Sequence, residues 1–256
     1  MRYLEEDMLE DEGAGYLVSV SDIMAGLLFV FIITLMAFVI QFNEAKQEQQ
    51  QQVDQLTNND EIRADLLQLI QSELDKSGIT VTINADSGVL LLGEDTVPFE
   101  TGQQTPEIAG IENLKLISEK LATIIPCYAQ AQPAKLECAP EKRGKLESIF
   151  IEGHTDDNPI IGRPHYSNWN LSSDRAITSF QVIRDEEPDL VTLENTRSQP
   201  LFSVSGYAAQ RPRIDRPDLS PSDGKQRRIE MRFIMTPPDG AVEVEPKRDL
   251  QDGELP

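Results

Sequence analysis

The stretch Ile151–Ala176, IEGHTDDNPIIGRPHYSNWNLSSDRA, decides the reading of the fold. On its N-terminal side, Leu146–Gly153 (LESIFIEG) is a short apolar run that reads as a buried strand. On its C-terminal side, Leu171–Asp185 (LSSDRAITSFQVIRD) carries apolar residues at helical spacing. Asp156 therefore falls just past a strand end and Arg175 in the first turns of the following helix, so that both side chains can line one groove.

Around this stretch the pattern continues. ITVTI from Ile79, the turn NADSG and VLLL predict a hairpin closed by Gly88. Apolar positions Ile108, Ile111, Leu114, Ile117, Leu121 and Ile125, after Pro106, predict a helix that ends before Pro126. Leu201–Gly206 and Gln226–Met235 read as two further strands. The order ββαβαββ, with a hairpin-like final pair, predicts an α/β fold: a two-layer α+β sandwich on a mixed sheet over residues 79–236. Residues 237–256 are acidic, contain proline and have too few large apolar side chains to fold, so a disordered tail is expected.

Two cysteines, Cys127 and Cys138, lie in the proline-punctuated stretch IPCYAQAQPAKLECAP, which matches neither a metal-ligand spacing nor a CxxC pair. A disulfide is the natural reading and implies an oxidising compartment such as the bacterial periplasm; the alternative is two free thiols in a cytosolic domain.

Ahead of the sandwich, residues 16–42 (YLVSVSDIMAGLLFVFIITLMAFVIQF) are long and apolar enough to cross a bilayer core as one helix. The acidic arm 1–15 lacks the basic region of a signal peptide, so the segment is expected to remain as an anchor. Asp22 is a lone carboxylate one turn into this apolar run, and an ionisable group at membrane depth points to function. The competing reading places Asp22 at the interface, snorkelling to water. Residues 43–78 begin glutamine-rich and become amphipathic, with Ile62, Leu66, Leu69, Ile70 and Leu74 on one face, and are expected to form a helical linker. Arg2 and Lys46 alone do not decide the orientation.

Lys+Arg 23 against Asp+Glu 44 leaves a formal net charge of −21, which argues against nucleic acid as a partner. A competing enzyme reading combines His154, His165, Asp156 and Asp157 into a metal centre, but two histidines without ligand spacing make a poor one, and no serine sits in a nucleophile elbow. Neither an enzyme nor a resident cofactor is expected.

The TD pair, Asn168, Leu171–Ser172 and Arg175–Ala176 closely resemble the peptidoglycan-binding signature of OmpA-like domains, and IEGHTDDNPI with SNWNLSSDRA is most like the MotB family of flagellar stator subunits. GYAAQRPRID and GKQRRIEMRF are similar to that family's closing segment. SVSDIMAGLLFVF resembles the stator membrane helix and, still more, that of ZorB proteins from the Zorya anti-phage defence system. The resemblance implies that Asp156 and Arg175 hold the ammonium and carboxylate of a cell-wall diaminopimelate, with Asn168 bonding the peptide and Leu171 beneath it. Recognition of an amino-acid terminus needs that pairing of carboxylate and guanidinium fork. Arg228 is expected to be a structural ion-pair partner.

The resemblance further implies a single-pass bacterial inner-membrane subunit, its N-terminus cytoplasmic and its sandwich periplasmic. It would form a homodimer inside a ring of a multi-span MotA-like or ZorA partner. Asp22 would then carry the translocated ion, preferably H+, although hydroxyls at Ser19, Ser21 and Thr34 leave sodium open. The acidic arm, the cysteine loop and the apparent Glu186–Pro200 insertion depart from the flagellar pattern and favour the Zorya-like alternative. A passive envelope tether without ion transport is the competing function.

Overall fold

The computed structural model describes residues 3–131, 137–213 and 215–238, with side chains from Val20 onward. Of the expected acidic tail, residues 239–256 lie outside this description, as do the side chains of the arm 1–15. Contacts divide the chain into two compact units, Met1–Asp54 and Gln55–Pro256.

The first helix, α1 (Tyr3–Lys76), contributes to both. No proline interrupts it, and it ends where Gly78 takes φ 79°, with the Ile79 amide donating to the Leu74 carbonyl at 3.0 Å and the Gly78 amide to Asp75 at 3.0 Å. This is the reverse turn that a left-handed glycine permits after a helix. In the first unit the large apolar side chains from Ile23 to Phe42 are 45% to 66% exposed, an uncovered surface that calls for an apolar surrounding.

In the second unit, Ile62, Leu66, Leu67, Ile70 and Leu74 of α1 are buried in the hydrophobic core. The amphipathic part of the helical stretch expected over 43–78 is thus packed into the folded unit. Its polar side chains hold it there as well, with Asn59 Nδ2 donating to the Thr236 carbonyl at 2.7 Å and Gln71 Nε2 to Val81 at 3.0 Å.

The remaining elements are β1 (Thr82–Asn84), β2 (Val89–Leu92), α2 (Ile108–Ile124), β3 (Leu146–His154), α3 (Asn168–Glu186), β4 (Phe202–Gly206) and β5 (Arg228–Met235). They build a mixed sheet in the order β1-β2-β5-β3-β4, with β3 and β4 parallel and the other pairs antiparallel. The final two strands thus do not form the hairpin-like pair expected; β5 inserts between β2 and β3. Its alternate residues Ile229, Met231 and Phe233 are fully buried, which suits a central strand, while β4 takes the edge.

The core face of the sheet, including Leu90, Leu92, Ile149 and Ile151, meets Leu114, Ile117 and Leu121 of α2 and Ala176 and Ile183 of α3. The opposite face carries Glu152, His154, Arg228, Glu230 and Arg232, as the two-residue period of strands requires. Cys127 and Cys138 are joined in a disulfide with Cα atoms 5.2 Å apart. The helix α3 comes unusually close to the sheet where Gly153 and Gly206 lie side by side in the parallel register; a Cβ on Gly153 would fall 1.9 Å from the Ser172 carbonyl oxygen. That approach brings the first turns of α3 to the end of β3.

Candidate ligand site

Asp156 stands two residues beyond β3 and is 5% exposed. Its Oδ1 accepts the Asn158 amide at 3.2 Å, and its Oδ2 accepts Nη1 of Arg227 at 2.9 Å. Arg227 reaches past it to Glu94, whose Oε1 accepts the other terminal nitrogen. Asn168, the first residue of α3, donates Nδ2 to the carbonyls of Asp156 (3.2 Å) and Asn158 (3.0 Å), while its Oδ1 is buried without a partner. The helix start is fixed by Asn170, whose side-chain oxygen accepts the Ser167 amide at 2.9 Å. Leu171 is 2% exposed beneath this turn, and the Ser172 hydroxyl accepts the Ala208 amide at 3.0 Å.

Arg175 is completely buried. Its Nε donates to the Gln103 carbonyl at 2.9 Å and its Nη2 to Glu100 at 3.1 Å, and its guanidinium lies 4.7 Å over the Phe99 ring. Nη1 has no hydrogen-bond partner, a costly state for a buried cation's donor. Burial, and then the charge of Arg227, lower its pKa to about 10, opposed by Asp156 and Glu94; it stays protonated at neutral pH. Nearby Tyr166 donates to Asp174 Oδ2 at 2.6 Å, and burial, followed by that bond, raises its hydroxyl to about 12.

Asp156, Asn168, Leu171 and Arg175 thus come together at the junction of β3 and α3. Among the described residues, however, Asp156 is paired with Arg227 and not with Arg175. Arg227, Glu94 and Phe99 were not singled out in the sequence. One signal was present: in QRRIE, adjacent arginines on a strand face opposite ways, so Arg227 had to leave the face that Arg228 occupies. Arg228 is held by Glu230 at 2.6 Å and by the carbonyls of Gln226 and Arg211, a structural role.

Across the sheet, ligand atoms of Glu152, His154 and Glu230 lie within 4.8 Å of one another. Arg232 takes both oxygens of Glu152, at 2.9 and 2.8 Å, and Arg228 takes Glu230, so a cation would have to displace guanidiniums already in place. His165, in contrast, is exposed at φ 63°. Burial, then Arg228, Arg211 and Arg232, lower His154 to about 2, so the folded chain holds it neutral. Below about pH 6.5 the unfolded chain gains a proton that the folded one refuses, and stability falls with pH over the window from 6.5 toward 2. The contribution reaches about 2 kcal/mol by pH 5. Thermal melts of the full chain between pH 7 and 5 are expected to show a shallower decline for His154→Gln than for wild type; parallel slopes would refute this assignment.

In the first unit Asp22 is exposed on the apolar helix, sharing a helical face with Ala25, Gly26 and Phe29. The Thr34 hydroxyl is turned back on its own helix, donating to the carbonyls of Val30 (3.0 Å) and Phe31 (2.9 Å).

No protein-family model matches the chain. It is 28% identical over 160 residues to Motility protein B of Bacillus subtilis (strain 168), covering 62% of this chain and 49% of that protein. It is 35% identical over 97 residues to Motility protein B of Escherichia coli (strain K12), covering 38% of this chain and 28% of that one. The match to the Bacillus protein thus spans about half of that relative's length, and the match to the Escherichia protein less. Among solved structures, a MotB-like protein from Desulfovibrio vulgaris aligns with a TM-score of 0.47 at 15% identity, covering 70% of this chain and 98% of that one. In sequence, the chain is therefore similar to MotB-type proteins over its matched part.

Proposed function

We propose that the chain is the single-pass membrane subunit of an ion-driven motor of the stator type, anchored to peptidoglycan. The observation that carries this reading is the occurrence in one chain of two unrelated and expensive features. One is a carboxylate in an uncovered apolar helix, Asp22; the other is a buried guanidinium, Arg175, with an unpartnered donor and within electrostatic reach of the Asp156 carboxylate. A simple tether needs only the second. Asp22 carries the ion, preferably a proton, and the Asp156–Arg175 site takes the ammonium and carboxylate of a cell-wall diaminopimelate, with Asn168 and Leu171 shaping its floor. The name Motility protein B borne by the similar sequences supports the motor class.

In this reading the subunit sits in a bacterial inner membrane with its N-terminus in the cytoplasm and its sandwich in the periplasm, where the disulfide is stable. It works as a homodimer within a multi-span MotA-like or ZorA ring, because one helix supplies few of the walls of an ion path. The acidic arm, the cysteine loop and the Glu186–Pro200 segment favour anti-phage defence of the Zorya type over flagellar rotation.

The wall-binding half is tested by co-sedimentation of the detergent-solubilised full chain with purified sacculi. Asp156→Asn and Arg175→Lys are each expected to weaken retention roughly tenfold to hundredfold, the scale of an unpaired charge in a recognition site. Wild-type retention by both variants would overturn it.

A further inference from the structure

The candidate site contains four charges: the carboxylates of Glu94 and Asp156 and the guanidiniums of Arg175 and Arg227. Arg227 bridges the two carboxylates, one on each terminal nitrogen. Its guanidinium is also confined from behind, since a Cβ on Gly224 would fall 2.7 Å from Nη2. With the side chains of Asp156 and Arg227 only 6% and 15% exposed, water screens this pair weakly.

This arrangement raises a question about Asp156. A carboxylate already bonded to a guanidinium at 2.9 Å is half of a neutral pair and offers an incoming ammonium little net attraction. Glu94 changes the balance. Placed on the other nitrogen of the same guanidinium, it leaves the Glu94–Arg227–Asp156 group with one net negative charge. Arg175, with its unpartnered Nη1, supplies one net positive charge nearby. Taken together, these four groups carry separated charges of opposite sign that balance, the complement of a zwitterion.

We infer that Glu94 is a specificity-determining residue of this site: by balancing Arg227 it keeps Asp156 attractive to an ammonium group, so the site selects a zwitterionic ligand over one bearing a carboxylate alone. Glu94 acts through Arg227 and Asp156 and is a positioning residue, 30% exposed in its side chain at the outer end of the group. The inference rests on the wall-binding reading. The same balance predicts that neutralising Glu94 gives the site a net positive charge, which disfavours ammonium and leaves carboxylate binding intact or improved.

The test uses the full chain in detergent, titrated with a diaminopimelate-containing stem peptide and with the same peptide acetylated on its free amine. Wild type is expected to prefer the free amine. Glu94→Gln, which keeps the size and a hydrogen bond to Arg227, is expected to reduce that preference about tenfold, the effect of one unit charge across roughly 8 Å at a half-buried position. Glu94→Asp is expected to restore most of it, and thermal midpoints should stay together, which separates charge balance from folding. Equal discrimination by Glu94→Gln and wild type would overturn the role of Glu94 while leaving wall binding standing. Binding of neither peptide by wild type would remove the wall-binding reading, and this inference with it.

Discussion

Asp22→Asn is expected to abolish ion-driven work while leaving the chain in the membrane at wild-type abundance. Asparagine keeps the size and polarity of the side chain but cannot take up and release a proton, so an ion cycle loses its carrier. The stake is large, since each elementary charge crossing the full membrane field is worth about 2.3 kcal/mol per 100 mV. Asp22 shares its helical face with Ala25 and Gly26, and the position where Gly26 would bear a Cβ has no heavy atom within 4 Å, so a neighbouring helix can approach closely there. The measurement is proton entry, followed with a cytoplasmic pH indicator, in cells that co-express the chain with a multi-span partner. Wild type is expected to show partner-dependent entry, Asp22→Asn none, and Asp22→Glu a partial signal. Undiminished partner-dependent entry in Asp22→Asn would remove Asp22 as the carrier, and absence of partner-dependent entry in wild type would leave only the passive tether.

The strands and helices of the second unit were legible because each has a clear period and a chemical stop, such as Pro126 after α2. The place of β5 was not. Order along the chain suggests pairing with β4, whereas the central position follows from both faces of β5 being covered, by Ile229, Met231 and Phe233 on one side and the Glu152–His154–Glu230 layer on the other. The amphipathic end of α1 was visible as a face, but periodicity cannot say what covers that face, and here it is the domain's own core. The candidate site divides similarly. Asp156, Asn168 and Arg175 were found because they sit within one continuous motif. Glu94, Phe99 and Arg227 come from segments far away in sequence, joined only by the fold; Arg227 is marked locally by its alternation with Arg228, and nothing local marks Glu94 or Phe99. The roof over Arg175, built from the carbonyls of Glu100 and Gln103, is backbone and leaves no side-chain signature at all.

Gly153→Ala is expected to be the most destabilising single-methyl change in the second unit and to remove ligand binding along with stability. The added Cβ would lie 1.9 Å from the Ser172 carbonyl oxygen and 2.8 Å from its carbonyl carbon, so the clash is with helix backbone and no rotamer relieves it. Neighbouring Gly206 is constrained alike, since a Cβ there would fall 2.5 Å from the Ser173 nitrogen, which blocks a sideways shift of α3 along the parallel pair. The helix must instead lift from the sheet, opening the core around Ala176 and Ile183, at a cost on the order of 3–5 kcal/mol. That corresponds to a fall of about 10 °C in the melting midpoint for a unit of this size. Because Asn168 and Arg175 ride on the same helix, lifting it also separates them from the carbonyls of Asp156, Glu100 and Gln103. Sacculus retention should therefore fall even well below the melting temperature. Gly162→Ala is the matched control: its φ of 83° imposes backbone strain, but nothing lies within 4 Å of the new Cβ, and a loss near 1 kcal/mol is expected. If Gly153→Ala melts no earlier than Gly162→Ala, the glycine in this motif is not there to admit the helix, and the recognition geometry must be set by another contact.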